Sequence, residues 1–256
     1  MLSGMLCVWN GAKYLDACIA SALPHLDELV IVEGRWQKED KASTDGTIAI
    51  LQKWMKEPKV RVCINRSIHQ QNPCRDLYWN ITSTKPGDWM IILDSDEFYH
   101  DKDWEEIKRI AHEEKQVEGY AFKNLVFVND YRNCLSHGFF PRLVKLEEFN
   151  KINVNHVYHS KGLRAGDYPR PKAYKYVNHP HIITYHYSYV IPLKRFNQKV
   201  AQRKEEERPF AWRNNGTKIE PIDGDGEVRA GVKPFTGTHP RIIQERYDSP
   251  VDTGNK

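Results

Sequence analysis

Asp94, Ser95 and Asp96 close the apolar run WMIIL, and Glu97 follows at once. Carboxylates one residue apart on a chain leaving a strand repel each other, so the arrangement persists where a cation or a set of donors compensates the charge. Hard oxygen donors suit Mg2+ or Mn2+, ions that keep open positions for phosphate oxygens. A pyrophosphate-bearing ligand would complete such a site. The plainer alternative is that the aspartates only stop the strand or cap the next helix. Trp9 and Asn10 end one apolar run and Glu33 another, offering a ring that can stack and groups that accept hydrogen bonds. His156, His159, His179, His181 and His186 crowd one later stretch. Zinc is one reading of that crowd, but the spacings lack a zinc-ligand pattern and no cysteine joins them.

The elements that would hold these residues alternate through the first part of the chain. GMLCVW predicts a strand, Asn10-Gly11 a turn, and AKYLDACIASAL a helix with Leu15, Cys18, Ile19 and Ala22 on one face. DELVIVEG predicts a second strand. STDGTIAILQKWMKE predicts a helix with Ser43 and Thr44 as cap candidates and Ile48, Leu51, Trp54 and Met55 facing inward. KVRVCIN reads as a third strand, PCRDLYWNITST as a helix with Pro73 near its first position, and DWMIIL as a fourth strand. Repeated strand, helix, strand units imply an α/β fold with a mainly parallel central sheet flanked by helices. In such sheets ligands bind beyond the carboxyl ends of the strands. Trp9, Asn10, Glu33 and the segment Asp94 to Asp96 all fall there.

After Asp101 the pattern changes. DWEEIKRIAHEE is helical; GYAFKNLVFV, FFPRLVKL and IITYHYSYV read as strands; IPLKRFNQKVAQRKEEE reads as a helix with Leu193, Phe196 and Val200 as its buried stripe. This half predicts mixed strand pairings. From Arg213 onward Gly, Pro and Asp dominate and periodicity fades, which predicts an irregular tail or flap.

Composition bounds the rest. With 256 residues and 40% hydrophobic content the chain can bury a substantial core. Its longest apolar runs fall far short of the roughly 20 residues that cross a bilayer, and no span or export signal is expected. Cys7, Cys18, Cys63, Cys74 and Cys134 form no CxxC pair, and their odd number fits a reduced, cytoplasmic setting. The sequons at Asn65, Asn80 and Asn215 carry little meaning there. A net charge of +4 does not by itself argue for nucleic acid and suits a phosphate-bearing ligand equally well.

The order LCVWN, LVIVEG, STDGT, CRDLYWN, GDWMIILDSDE resembles the nucleotide-binding half of glycosyltransferase family 2, whose members have the GT-A fold. The resemblance runs well from residue 3 to about 100 and weakly beyond. It implies that Trp9, next to Asn10, packs on the nucleotide base, that Glu33 contacts the base, and that Asp45 shapes the base pocket. It places Arg75 near the diphosphate, Asp94 at the ribose or metal with Ser95 beside it, and Asp96 at the metal. His186 then serves as a further metal or diphosphate contact, and Lys194, Arg195 and Lys199 neutralise the leaving nucleotide. The bland readings stand beside these: Trp9 as a core aromatic, Asp45 as a helix cap, Arg75 paired with Asp76 or Glu97. The chain departs from the family pattern in the nine residues GRWQKEDKA between Glu33 and Ser43, and in Glu where Asp is usual.

The resemblance implies a glycosyltransferase dependent on Mn2+ or Mg2+ that moves a sugar from a nucleotide diphosphate donor, a UDP-sugar first, to an acceptor hydroxyl with inversion. Asp130 is the first candidate for the base, with Glu147, Glu148 and Asp167 behind it. Residues 1–100 would bind the nucleotide-sugar, 101–212 would form the acceptor side of the same GT-A domain, and 213–256 a tail or flap. Acceptors open to it are a glycan, a lipid-linked sugar, a protein or a modified DNA base. The alternatives are a nucleotidyltransferase that makes nucleotide-sugars and a non-catalytic sugar- or nucleotide-binding module.

Overall fold

Leu2–Val8 forms β1, buried at every position, as a strand covered on both faces must be. A computed structural model describes residues 1–34, 42–65, 77–114, 116–146, 176–205, 212–222 and 231–247. β2 (Glu28–Glu33), β3 (Val60–Ile64) and β4 (Trp89–Asp94) join β1 in the parallel order β3-β2-β1-β4. In register, Val8 faces Glu33 and Cys7 faces Asp94. The segments that follow these strands therefore leave from one edge of the sheet, which brings Trp9, Glu33 and Asp94 into one neighbourhood.

Helix α1 (Ala12–Ala22) buries Tyr14, Leu15, Cys18, Ile19 and Ala22, a stripe at helical spacing against the sheet. α2 (Thr47–Trp54) starts after Gly46, whose φ of 95° lies where a side chain would be strained. The helix expected before β4 is a 3-10 turn, Leu77–Asn80, in the described part. Residues 66–76 lie outside it.

Past Asp96 the sheet changes character. β5 (Glu97–Phe98), α3 (Asp101–Glu113), β6 (Gly119–Val128), β7 (Asn133–Lys145) and β8 (Tyr176–Tyr189) extend it along the path β4-β7-β6-β8-β5. The β4–β7, β6–β7 and β5–β8 pairs are antiparallel and β6–β8 is parallel. β4 and β5 are separated in the chain by Ser95 and Asp96 alone, yet they stand at the two ends of this path. The sheet must therefore curl until its ends meet, and the Asp94 to Asp96 loop is the closure. The result is an α/β structure of GT-A type.

Helix α4 (Leu193–Glu205) follows β8. The region expected as an irregular tail contains the hairpin β9 (Trp212–Asn214) and β10 (Ile219–Pro221), then β11 (Lys233–Pro234) paired with β7, then α5 (Arg241–Arg246). Elements of two to six residues carry no readable period and take their order from packing. α5 buries Ile243, Arg246 Nη1 meets Asp16 Oδ2 at 2.7 Å, and Tyr247 donates to the Lys13 carbonyl at 2.6 Å. Among the described residues no helix is long and apolar enough to cross a membrane.

Candidate active site

The turn after β1 is tied to the segment Ser43 to Thr47. Asn10 adopts φ 48°, a left-handed conformation that asparagine tolerates. Its N–H donates to Ser43 Oγ at 2.9 Å, and the Thr44 N–H donates to Asn10 Oδ1 at 2.8 Å. Ser43 in turn donates its N–H and its hydroxyl to Glu33 Oε1, at 2.9 and 2.7 Å. Glu33 is 0% exposed, so this buried carboxylate anchors the loop. Asp45 accepts the Ala12 N–H at 3.0 Å and the Thr47 N–H and hydroxyl at 3.1 and 2.6 Å. It serves the starts of both α1 and α2, as short acidic side chains do at helix N-termini. Arg195 of α4 reaches the same turn. Its Nη2 donates to the carbonyls of Trp9 and Asn10 at 3.3 and 3.2 Å, and its guanidinium carbon stands 5.1 Å from the Trp9 ring centroid.

The Asp94 to Asp96 loop abuts this turn through Gly11. A Cβ on Gly11 would come within 2.5 Å of Val8 Cγ2 and 2.8 Å of Ser95 Oγ, so a larger residue there would force Val8 or Ser95 to shift. Asp96 Oδ1 lies 3.3 Å from His186 Nε2, and its Oδ2 lies 3.7 Å from Lys199 Nζ. Lys199 is held by donation to the Ser188 carbonyl and hydroxyl at 3.1 and 2.9 Å. His186 arrives because β8 pairs with β5 in a register that sets Glu97 opposite His186. Glu97 Oε1 bonds Arg142 Nη2, and Arg142 Nη2 stands 3.8 Å from Asp94 Oδ2. Burial alone would raise the Asp96 carboxyl, but the charges of His186 and Lys199 outweigh it and hold the group below the ordinary carboxylate range. Burial raises Glu97, with Arg142 opposing. Burial would lower His186, but Asp96, Glu97 and Asp94 together raise it.

This corner fits a divalent cation. Asp94, Glu97 and His186 offer donor atoms within 4.8 Å of one another, but both Glu97 oxygens are already engaged by Arg142 and the Asp94 N–H. This leaves Asp94, His186 and Asp96, 3.3 Å from His186 Nε2, as the groups open to an ion; His186 Nδ1 is buried without a hydrogen-bond partner. Carboxylates with one imidazole suit Mn2+ or Mg2+.

Residues 3–159 match the family model of glycosyl transferase family 2. The chain belongs to glycosyl transferase family 2. Similar solved structures include S. aureus TarS 1-349, at 19% identity and TM-score 0.32 over 51% of this chain and 36% of that one. The chain thus spans about a third of that protein's length. Glucosyl-3-phosphoglycerate synthase from Mycobacterium tuberculosis, solved with Mn2+, uridine diphosphate and glucosyl-3-phosphoglycerate, is 14% identical at TM-score 0.39 over 88% of each chain. The inositol-1-phosphate CTP transferase of T. maritima is 8% identical at TM-score 0.41 over 79% of this chain and 96% of that one. No curated protein sequence matches the chain.

In this member of glycosyl transferase family 2, the residues expected from sequence separate into those at the corner and those elsewhere. Trp9, Asn10, Glu33, Asp45, Asp94, Ser95, Asp96, His186 and Lys199 occupy one edge of the sheet. Lys194 is exposed on α4, while Arg195 is the residue of that helix at Trp9. Asp130 sits in the β6–β7 turn, where its carboxylate accepts the Arg132 N–H at 2.8 Å and the Asn133 side-chain amide at 2.9 Å. His179 Nε2 lies 3.3 Å from Glu106 Oε1, so it and His186 serve different places. Arg75, Glu147, Glu148, Asp167, His156, His159 and Cys74 lie outside the described residues. Glu97 and Arg142 are site residues that spacing did not single out. A lone arginine inside the apolar run FFPRLV was the one signal, because a charge buried there needs a partner.

Proposed function

We propose that the protein is a metal-dependent, inverting hexosyltransferase that uses a nucleotide diphosphate sugar, a UDP-sugar first, and an acceptor hydroxyl. One observation carries this reading: β8 and α4 return His186 and Lys199 to Asp96, at 3.3 and 3.7 Å, from far along the chain. An acidic pair faced by an imidazole and an ammonium suits a metal and a diphosphate together.

In this reading the base stacks on Trp9 beside Asn10 and Asp45, while Glu33, buried and bonded to Ser43, shapes the pocket from behind and does not touch the base. Asp94 meets the ribose or the metal, Ser95 lies under the phosphates, and Lys199 faces them. Arg75 and Lys194 join the phosphate-binding set on sequence grounds. Asp94, Asp96 and His186 would hold Mn2+ or Mg2+, which when bound supplies Lewis-acid stabilisation of the departing diphosphate. The acceptor oxygen forms the new glycosidic bond to the sugar anomeric carbon while the bond to the diphosphate oxygen breaks. The acceptor proton passes to a carboxylate base, for which Asp130, at the same sheet edge as the end of β6, is the first candidate. The acceptor is a glycan, a lipid-linked sugar or another hydroxyl-bearing molecule.

Turnover of a panel of nucleotide-sugars with Mn2+ tests the reading. Asp96→Ala should abolish turnover in a folded chain, and His186→Ala should weaken Mn2+ binding at least tenfold. Ligation needs a neutral imidazole, and the neighbouring carboxylates raise the His186 pKa. Metal affinity should therefore start to fall above the ordinary histidine range as pH is lowered. Near-normal turnover by Asp96→Ala refutes the assignment, and pyrophosphate release from a nucleoside triphosphate and a sugar phosphate would favour nucleotidyl transfer instead.

A further inference from the structure

Glu97 and Arg142 form a buried ion pair that the proposed reaction does not use. Their side chains are 0% and 3% exposed, so both charges have left water. Replacing such a pair with apolar groups of similar volume is often neutral or stabilising, so stability alone does not account for it. Its contacts do. Arg142 Nη2 bonds Glu97 Oε1 and stands 3.8 Å from Asp94 Oδ2. Glu97 Oε2 accepts the Asp94 N–H at 3.3 Å, and Glu97 Oε1 lies 3.8 Å from His186 Nδ1. This one carboxylate reaches the end of β4, β7 and β8, the strands that converge where the curled sheet closes on the Asp94 to Asp96 loop.

We infer that Glu97 and Arg142 are a positioning pair that holds Asp94 and His186 in place for the metal. The pair has this role only if the metal-dependent reading above holds. Asp94, Asp96 and His186 remain the groups that face the ligand: their side chains are 22%, 17% and 18% exposed. Glu97 lies behind them with both oxygens engaged. A metal that also binds phosphate oxygens needs open positions on its outer side. Partners that orient metal ligands typically change metal affinity 10–100-fold when lost.

Mn2+ titrated calorimetrically into the full chain without nucleotide, alongside thermal unfolding, tests the pair. In Arg142→Met the Glu97 carboxylate loses its seat, and Mn2+ affinity should fall about tenfold. Arg142→Lys keeps the charge and should recover part of that loss. If Glu97 were itself a ligand, removing the competing guanidinium would tighten Mn2+ binding, and that result overturns the assignment. Arg142→Met alone leaves a buried carboxylate unpaired, so the charge-neutral double variant Glu97→Gln with Arg142→Met guards against misfolding. It should melt close to the parent and still bind Mn2+ about tenfold more weakly. Unchanged Mn2+ affinity in the double variant makes the pair merely structural and overturns the proposal while leaving the metal reading intact. A parent chain that binds no Mn2+ either alone or with a nucleoside diphosphate present removes the metal reading, and the role of the pair with it.

Discussion

Ser43→Ala tests how strongly the loop between the first two strand ends is held. The Ser43 hydroxyl donates to Glu33 Oε1 at 2.7 Å and accepts the Asn10 N–H at 2.9 Å. Glu33 is 0% exposed, so water cannot replace the lost donor without entering the core. Removing the hydroxyl deletes a hydrogen bond to a buried carboxylate, about 1.5–3 kcal/mol, and leaves the Asn10 N–H without its acceptor, about 1 kcal/mol more. The Ser43 N–H to Glu33 bond of 2.9 Å survives the change, which keeps the total near 3 kcal/mol. At roughly 2–4 °C per kcal/mol for a chain of this size, Tm should fall by roughly 6–12 °C. Differential scanning calorimetry reads the shift, and calorimetric titration with nucleoside diphosphates should show weaker binding in the same variant, because Trp9 and Asn10 lose their anchor. Ser43→Thr retains the hydroxyl and should retain most of both. A Tm change under about 2 °C for Ser43→Ala would refute the idea that one hydroxyl joins Glu33 to the β1 turn.

Three further outcomes follow from the same geometry. Burial pushes the Asp16 carboxyl up, but Lys53, Arg246 and Trp54 outweigh it and lower it from 3.8 to about 2; a depressed carboxyl stabilises above its unfolded pKa and ceases to do so below its folded one. Docking of α5 should therefore weaken between about pH 4 and pH 2, seen as faster hydrogen exchange in residues 241–247, and Asp16→Asn should flatten that pH dependence. Gly11→Ala places a Cβ 2.5 Å from Val8 Cγ2 and 2.8 Å from Ser95 Oγ; it should weaken nucleoside diphosphate binding by pushing the two loops apart, and unaltered affinity would show that their contact is dispensable. Arg195→Gln keeps an N–H donor for the Trp9 and Asn10 carbonyls but removes the cation over the ring; at about 0.5–1 kcal/mol the loss of stability should be small, and a large fall in Tm would assign the charge a heavier structural part.

Much of the frame was legible in the amino-acid order because it depends on local chemistry. The strands β1 to β4 and the helices α1 and α2 follow from apolar periodicity, whereas the helix expected before β4 is a 3-10 turn where it is described, and the strand read as GYAFKNLVFV coincides with β6, Gly119–Val128. The placing of Asp94 and Asp96 at a strand end needed no more than the apolar run before them. Tertiary structure alone decided what these residues meet. Glu97 and Arg142 are 45 residues apart, and Arg195 is 186 residues from Trp9; neither pairing leaves a period or spacing in the chain. They arise because the sheet curls until β5 reaches β8, a closure set by registers across several strands and by register shifts between β6 and its neighbours. Local preference cannot encode such registers, since sliding a strand by one residue exchanges its two faces while leaving its composition unchanged. For the same reason the acidic character of Glu33 was readable, but its burial against Ser43 was not, because that depends on where the Ser43 to Thr47 segment folds back onto the β1 turn.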